Sequence, residues 1–165
     1  KSLKKKYNYV VDIQGDEPLV NPNHIDKVIK YHLKNSDSDI IVPSLKIGET
    51  FNENIVKIVK DNNEKVLYFS RSTIPFGFKN KNKFVDKHLS IISFRPNALK
   101  LFTKSKQAKL EKIEGVELLR ALEIGLKIKS PSFFGDSFSV DVKEDYIKAK
   151  IKFDTDKFYK LYRDL

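Results

Sequence analysis

The stretch from Tyr7 to Leu45 constrains the fold most. Tyr7 to Ile13 (YNYVVDI) is a short β-branched and aromatic run that ends in Gln14-Gly15-Asp16-Glu17-Pro18, and it reads as a buried strand leading into a loop. Asn21 to Asn35 follows, with Ile25, Val28, Ile29 and Leu33 spaced for one helical face. Pro22 sits near its start, where a missing amide donor costs nothing. Ile40 to Leu45 is a second strand. Strand, loop, helix and strand in that order is the grammar of a parallel α/β layer.

The pattern continues through the rest of the chain. Ile55 to Val59 and Val66 to Phe69 are short apolar runs separated by Asp61-Asn62-Asn63-Glu64, residues that close a hairpin. Phe76 to Lys87 is polar and rich in Lys and Asn, and reads as a surface loop. His88 to Arg95 returns to strand character before Pro96 opens a helix through Leu101 and Phe102. The spacing predicts one helix over Lys109 to Leu126, with Leu110, Ile113, Val116, Leu119, Leu122 and Leu126 on one side. Ile128 to Phe134 and Phe138 to Val142 read as late strands, and Lys143 to Tyr162 as a helical tail. No repeat, low-complexity tract or linker divides the 165 residues, so a single domain over residues 1–165 is expected.

Composition narrows the function classes. With no Cys, disulfides and thiolate metal sites are excluded. No apolar run approaches the ~20 residues of a membrane-spanning helix, and no charged-then-apolar leader opens the chain, so a soluble, cytoplasmic protein without a membrane partner is expected. Met is absent and the chain opens Lys1-Ser2-Leu3-Lys4-Lys5-Lys6, which reads as an N-terminally incomplete sequence. The net charge of +10 attracts polyanions. It rests, however, on 28 scattered Lys and only Arg71, Arg95, Arg120 and Arg163. Specific recognition of bases and phosphates favours the forked guanidinium, so a solvated basic surface is the better reading and nucleic acid is not expected as a partner.

Two segments carry candidate chemistry. Asp16 and Glu17 follow an apolar strand, at the carboxyl edge where open α/β sheets bind ligands, and carboxylate oxygens are the hard ligands that Mg²⁺ prefers. The competing reading of Asp16 is a cap for a neighbouring amide. Asp141, in Ser139-Val140-Asp141-Val142, again lies where a short strand meets a helix, so both aspartates could share one divalent ion; its competing reading is the N-cap of the last helix. Arg71 and His88 lie between them, each weak as an isolated signal.

Taken in order, these segments resemble one family. Tyr9 to Leu19 (YVVDIQGDEPL), Leu67 to Phe76 (LYFSRSTIPF), His88 to Arg95 (HLSIISFR), Leu110 to Glu123 with Glu117, and Val140-Asp141 with Glu144-Asp145 are similar to the 3-deoxy-manno-octulosonate (Kdo) cytidylyltransferases, the CMP-Kdo synthetases. The resemblance implies an α/β, Rossmann-like nucleotide-diphospho-sugar transferase fold with a mixed, mostly parallel sheet, whose first βα unit is missing here. It implies Mg²⁺-dependent transfer of CMP from CTP to the anomeric hydroxyl of Kdo or a close sugar acid, releasing pyrophosphate, for lipopolysaccharide biosynthesis by a homodimer. The family's metal-binding aspartates map onto Asp16 and Asp141, and its sugar-contacting residues onto Gln14, Arg71, His88 and Glu117. An Arg suits the sugar carboxylate through paired charge-assisted hydrogen bonds.

The chain departs from the family pattern at three points. The family's Gly-, Ser- and Arg-containing nucleotide loop has no counterpart in the chain, so the fragment alone is expected to be inactive. Ser90 and Ile92 stand where relatives carry Gly and Tyr, and Leu118 stands where they carry Gln, so Ile92 and Leu118 are expected at the acceptor pocket with a looser or shifted acceptor choice. The alternatives are a non-catalytic paralogue, a sugar-nucleotide-binding module, or a cytidylyltransferase for a different acidic sugar.

Overall fold

The computed structural model describes residues 7–79, 83–135, 137–140 and 142–163. In chain order the elements are β1 (Val10–Ile13), α1 (Pro22–Lys34), β2 (Ile40–Ile41), β3 (Ser44–Gly48), β4 (Lys57–Lys60), β5 (Val66–Ser70), β6 (Phe84–His88), β7 (Ile91–Phe94), α2 (Pro96–Lys104), α3 (Lys109–Glu114), α4 (Leu118–Glu123), β8 (Ile128–Lys129), β9 (Ser132–Phe133), α5 (Lys143–Thr155) and α6 (Lys157–Tyr162). The mixed α/β class expected from the sequence is present, arranged as a four-stranded sheet β1-β7-β2-β8 and a five-stranded sheet β5-β4-β6-β3-β9. The sheets are partly parallel and partly antiparallel. Among the described strands only β2–β8 and β3–β9 pair in parallel, so the expected parallel majority is absent there. The reason is local: β4 and β5 form a hairpin, and β6 and β7 each run against both of their neighbours.

Three runs with the pattern of single strands are each divided between the two sheets. Ile40 to Leu45 breaks at Val42-Pro43, Ile128 to Phe134 at Ser130-Pro131, and His88 to Arg95 at Leu89-Ser90. Proline has no amide to give to a ladder, and its carbonyl serves the crossing instead: Leu89 donates to Pro43 O at 3.0 Å and Ser44 to Pro131 O at 2.9 Å. His88 thus ends β6 rather than opening β7. The segment Phe76 to Lys87, loop-like in composition, contributes most of β6, which lies between β3 and β4. Its Lys and Asn content hides a strand that buries little besides Val85. Phe138 to Val142 has the pattern of a strand, but its described residues form none.

Helix boundaries follow local chemistry where caps are present. Asn21 accepts from the Asn23 amide at 3.0 Å and Pro22 occupies the first turn of α1. The buried face of α1 is His24, Val28 and His32, four residues apart, while Leu33 is 56% exposed. Apolar periodicity overlooks the two histidines because their burial depends on partners: His24 Nε2 on Phe134 O, and His32 on Ser93 Oγ and Ser38 O. Asp61 Oδ1 accepts from the Asn63 and Lys65 amides and closes the expected β4–β5 hairpin.

The predicted helix over Lys109 to Leu126 is two helices. Gly115 adopts φ 61°, the left-handed conformation that ends a helix and suits glycine. Ile113, placed on the core face by periodicity, is 68% exposed as a result. The larger core packs Ile40, Ile58, Phe69, Ile92, Phe94, Leu118, Leu119 and Ile128 together, and a smaller one holds Val28, Ile41, Leu45, Leu89 and Ile91. Strand β1, buried by its sequence pattern, has Val10 37% and Ile13 41% exposed, because among the described strands it pairs only with β7. No helix among the described residues is long and apolar enough to cross a membrane.

Candidate functional site

The carboxyl end of β1, the turn between β6 and β7, the end of β5 and the α3–α4 break surround one cavity of about 400 Å³. Gln14, Asp16, Arg71, His88 and Glu117, five of the six candidate residues, line it. The sixth, Asp141, lies outside the described residues, and with it the expected proximity of Asp16 and Asp141. Among the described residues no group of three or more His, Asp or Glu side chains is arranged to hold a metal ion. Asp16 nevertheless offers a hard oxygen donor on the cavity, which suits Mg²⁺.

Arg71 is seated by main-chain carbonyls. Its Nε donates to Glu114 O at 2.9 Å, one terminal nitrogen to Glu53 O at 2.9 Å, and the other to Gly115 O at 3.2 Å. The break at Gly115 turns two of these carbonyls outward, so the glycine that interrupts the expected long helix also makes the guanidinium's seat. The Glu114 carboxylate accepts from the Arg71 amide at 3.0 Å and from Ser70 Oγ at 2.8 Å. Among the described residues the guanidinium forms no ion pair within 4.0 Å, and three of its five N–H donors are used. A cation with donors to spare is thus held on the cavity without an internal neutralising carboxylate.

His88 contributes a neutral ring. Its Nε2 is sealed from solvent without a hydrogen-bond partner, and burial, reinforced by the neighbouring Lys87 charge, pushes the imidazole down to about 4. Phe69 meets the ring edge-on at 6.2 Å. Gln14 Nε2 reaches Glu117 Oε1 at 3.5 Å, a long contact that joins the two residues across the cavity floor.

A second wall depends on Glu17, which the sequence marks only as a second carboxylate beside Asp16. Glu17 is 3% exposed, and its Oε1 accepts from Ser137 Oγ at 2.8 Å, Ser90 Oγ at 3.0 Å and Ser139 Oγ at 3.3 Å. Lys87 Nζ donates to Ser137 Oγ at 3.1 Å, and the Val140 amide to Asp16 O at 2.9 Å. Residues 137–139 thereby form a wall without regular secondary structure. The sequence holds one signal for this network: a carboxylate in an otherwise turn-forming loop, with serines spaced two apart at 137 and 139.

The departures from the family pattern are placed unevenly. Leu118 lines the cavity from a buried position. Ile92 does not, contrary to expectation: it is 1% exposed and packs in the larger core. Ser90 spends its hydroxyl on Glu17. The change of sheet explains the separation: in one unbroken strand residues 88, 90 and 92 would share a face, but His88 ends β6 in one sheet and Ile92 lies in β7 of the other.

Comparison with known proteins bears on the family and the fold. A family model described as cytidylyltransferase matches residues 1–128. The 3-deoxy-manno-octulosonate cytidylyltransferase of Thermodesulfovibrio yellowstonii is 42% identical over 160 residues, covering 88% of this chain and 62% of its own. That of Rickettsia prowazekii is 43% identical over 148 residues, covering 88% and 58%. The chain therefore spans about 60% of the length of these relatives. A solved structure of CMP:2-keto-3-deoxy-manno-octonic acid synthetase complexed with CTP superposes with a TM-score of 0.83 at 22% identity, covering 92% of this chain and 64% of that one, which establishes a shared fold.

Proposed function

This chain belongs to the cytidylyltransferase family, and from that premise we propose that it carries the acceptor-sugar side of a site transferring CMP from CTP to the anomeric hydroxyl of Kdo or a close sugar acid. The hydroxyl oxygen forms a bond to the α-phosphorus, the bond from that phosphorus to the β-phosphate bridge breaks, pyrophosphate leaves, and the hydroxyl proton is released. One observation supports the reading above others: Gln14, Asp16, Arg71, His88 and Glu117, distant in sequence, line one cavity, with Arg71 unpaired by any carboxylate among the described residues.

Each residue has a role that its surroundings allow. Arg71 binds the sugar carboxylate with its remaining donors. His88, neutral above about pH 4, exchanges hydrogen bonds with hydroxyls without adding charge. Gln14 and Glu117 orient the polyol, and Leu118 presents an apolar surface where relatives have an amide, so acceptor choice is looser at that point. Asp16, together with Asp141, would hold Mg²⁺, whose contribution is to neutralise triphosphate charge and orient the α-phosphorus. Rate enhancement then rests on positioning and fixed charge. The same reading makes the protein a cytoplasmic homodimer that supplies activated sugar for lipopolysaccharide.

Calorimetric titration with Kdo tests the acceptor cavity, and pyrophosphate release from CTP, Mg²⁺ and Kdo tests the transfer. Saturable binding that is lost in Arg71→Ala is expected; no binding by the wild type would overturn the reading. Since the chain spans about 60% of the length of these relatives, binding without pyrophosphate release is the outcome expected of the chain alone, and release by the chain alone would overturn that expectation.

A further inference from the structure

Lys57 is a buried charge that the acceptor site leaves without a role. It lies in β4 within the apolar run Ile55-Val56-Lys57-Ile58-Val59, and it is 0% exposed. Its Nζ donates to Asn52 O at 2.7 Å and to Arg71 O at 2.5 Å. No carboxylate among the described residues lies within ion-pair distance of it. Burial of an ammonium without a counter-ion opposes folding, and the two carbonyls it serves require a donor but not a positive charge. The fold alone thus supplies no reason for the charge.

The position of that charge supplies one. Both carbonyls held by Lys57 belong to residues that line the cavity, Asn52 on the loop before β4 and Arg71 after β5. One ammonium therefore ties the two sides of the Arg71 wall together. It also sets a second positive charge behind the guanidinium: burial and then the Arg71 charge pull Lys57 below its ordinary value, while Glu53 and Glu114 pull the other way. An anion bound at Arg71 would relieve that repulsion.

We propose that Lys57 is a positioning residue for anion recognition, fixing the Arg71 wall through the Asn52 and Arg71 carbonyls and making the cavity prefer a carboxylate-bearing ligand over its uncharged counterpart. This role rests on the acceptor reading of the cavity. A purely structural lysine would support binding of charged and uncharged ligands alike, so the diagnostic quantity is the ratio of the two affinities.

Kdo and its C1 carboxamide are titrated calorimetrically into the wild-type chain, Lys57→Met and Lys57→Gln. The wild type is expected to prefer the acid at least tenfold. Lys57→Met should cut that preference threefold or more. Lys57→Gln, which keeps a donor for the carbonyls without the charge, should lose acid preference while holding carboxamide affinity within twofold of wild type. Equal weakening of both ligands in both variants would make Lys57 structural only and overturn the proposal, as would failure of both variants to fold at 25 °C. If the wild type binds neither ligand, or both alike, the acceptor reading itself falls, a result visible before any variant is made.

Discussion

On one side of the cavity Arg71 is held by the main-chain carbonyls of Glu53, Glu114 and Gly115, with Lys57 behind it. On the other, residues 137–140 are held by serine hydroxyls converging on a single oxygen of Glu17 and by one amide bonded to Asp16. Two of these carbonyls, Glu114 and Gly115, stand where α3 ends, and the loop that carries the third is tied by Lys57 to the end of β5, so the Arg71 wall inherits much of the rigidity of the fold. The Glu17 wall has no ladder of its own and rests on that carboxylate, the Asp16 carbonyl and the Lys87 ammonium. A fixed cation facing a segment with few ties can accept a rigid anionic group on one side while the other adjusts to the rest of the ligand.

Removing the cation should have the largest effect. Arg71→Ala is expected to weaken Kdo binding by about 1.5–3 kcal/mol, the range for hydrogen bonds to charged groups, read as a tenfold or greater rise in Kd. If the loss is below twofold, the Arg71 wall is not the anion-binding side and the comparison fails.

Glu17→Ala strips the acceptor from Ser90, Ser137 and Ser139, and should lower stability by about 1–3 kcal/mol in urea unfolding. Hydrogen exchange locates the damage. Val140 should lose protection, while amides of α3 and α4 keep theirs. Equal loosening on the Arg71 side would mean that the two walls are one unit.

A smaller penalty is expected for Gly115→Ala. The added Cβ would stand 3.7 Å from Arg71 Nε, an ordinary contact, so the cost lies in the backbone at φ 61°. About 1–2 kcal/mol is expected for a side chain in the left-handed region, with Kdo affinity falling only as far as the carbonyls that seat Arg71 are displaced. An unchanged unfolding midpoint would show that the α3–α4 break tolerates any residue.

At pH 7 the smallest stability effect belongs to the ionisation of His88, which is neutral there. Its folded pKa is about 4 against an ordinary 6.5, so on acidification the unfolded chain takes up a proton that the folded protein refuses. Stability should therefore fall as pH drops from about 6.5 towards 4, with no further contribution from this group below that. His88→Gln should flatten the slope in that window relative to wild type. His32, also displaced downward by burial, is common to both proteins and cancels in the comparison. Parallel pH profiles would place His88 in solvent.

Local chemistry in the chain determined a good deal. The Asn21-Pro22 cap starts α1 where expected, and Asp61 closes the β4–β5 hairpin, because both depend on bonds between residues close in sequence. The QGDEP loop, the FSR segment and the residues around Glu117 are legible as a set only through their resemblance, in order, to the segments of one family. Tertiary structure decided the rest. Whether a run such as Ile40 to Leu45 is one strand or two depends on which sheet receives each half, and Pro43, Pro131 and Ser90 act as crossings only when aligned with one another. A helical period runs unbroken across Gly115, so the break that seats Arg71 shows only in the φ adopted there. The uses of Lys57 and Glu17 are equally hidden: a buried charge or carboxylate is defined by carbonyls and hydroxyls from distant segments, and hydrophobic periodicity carries no record of such partners.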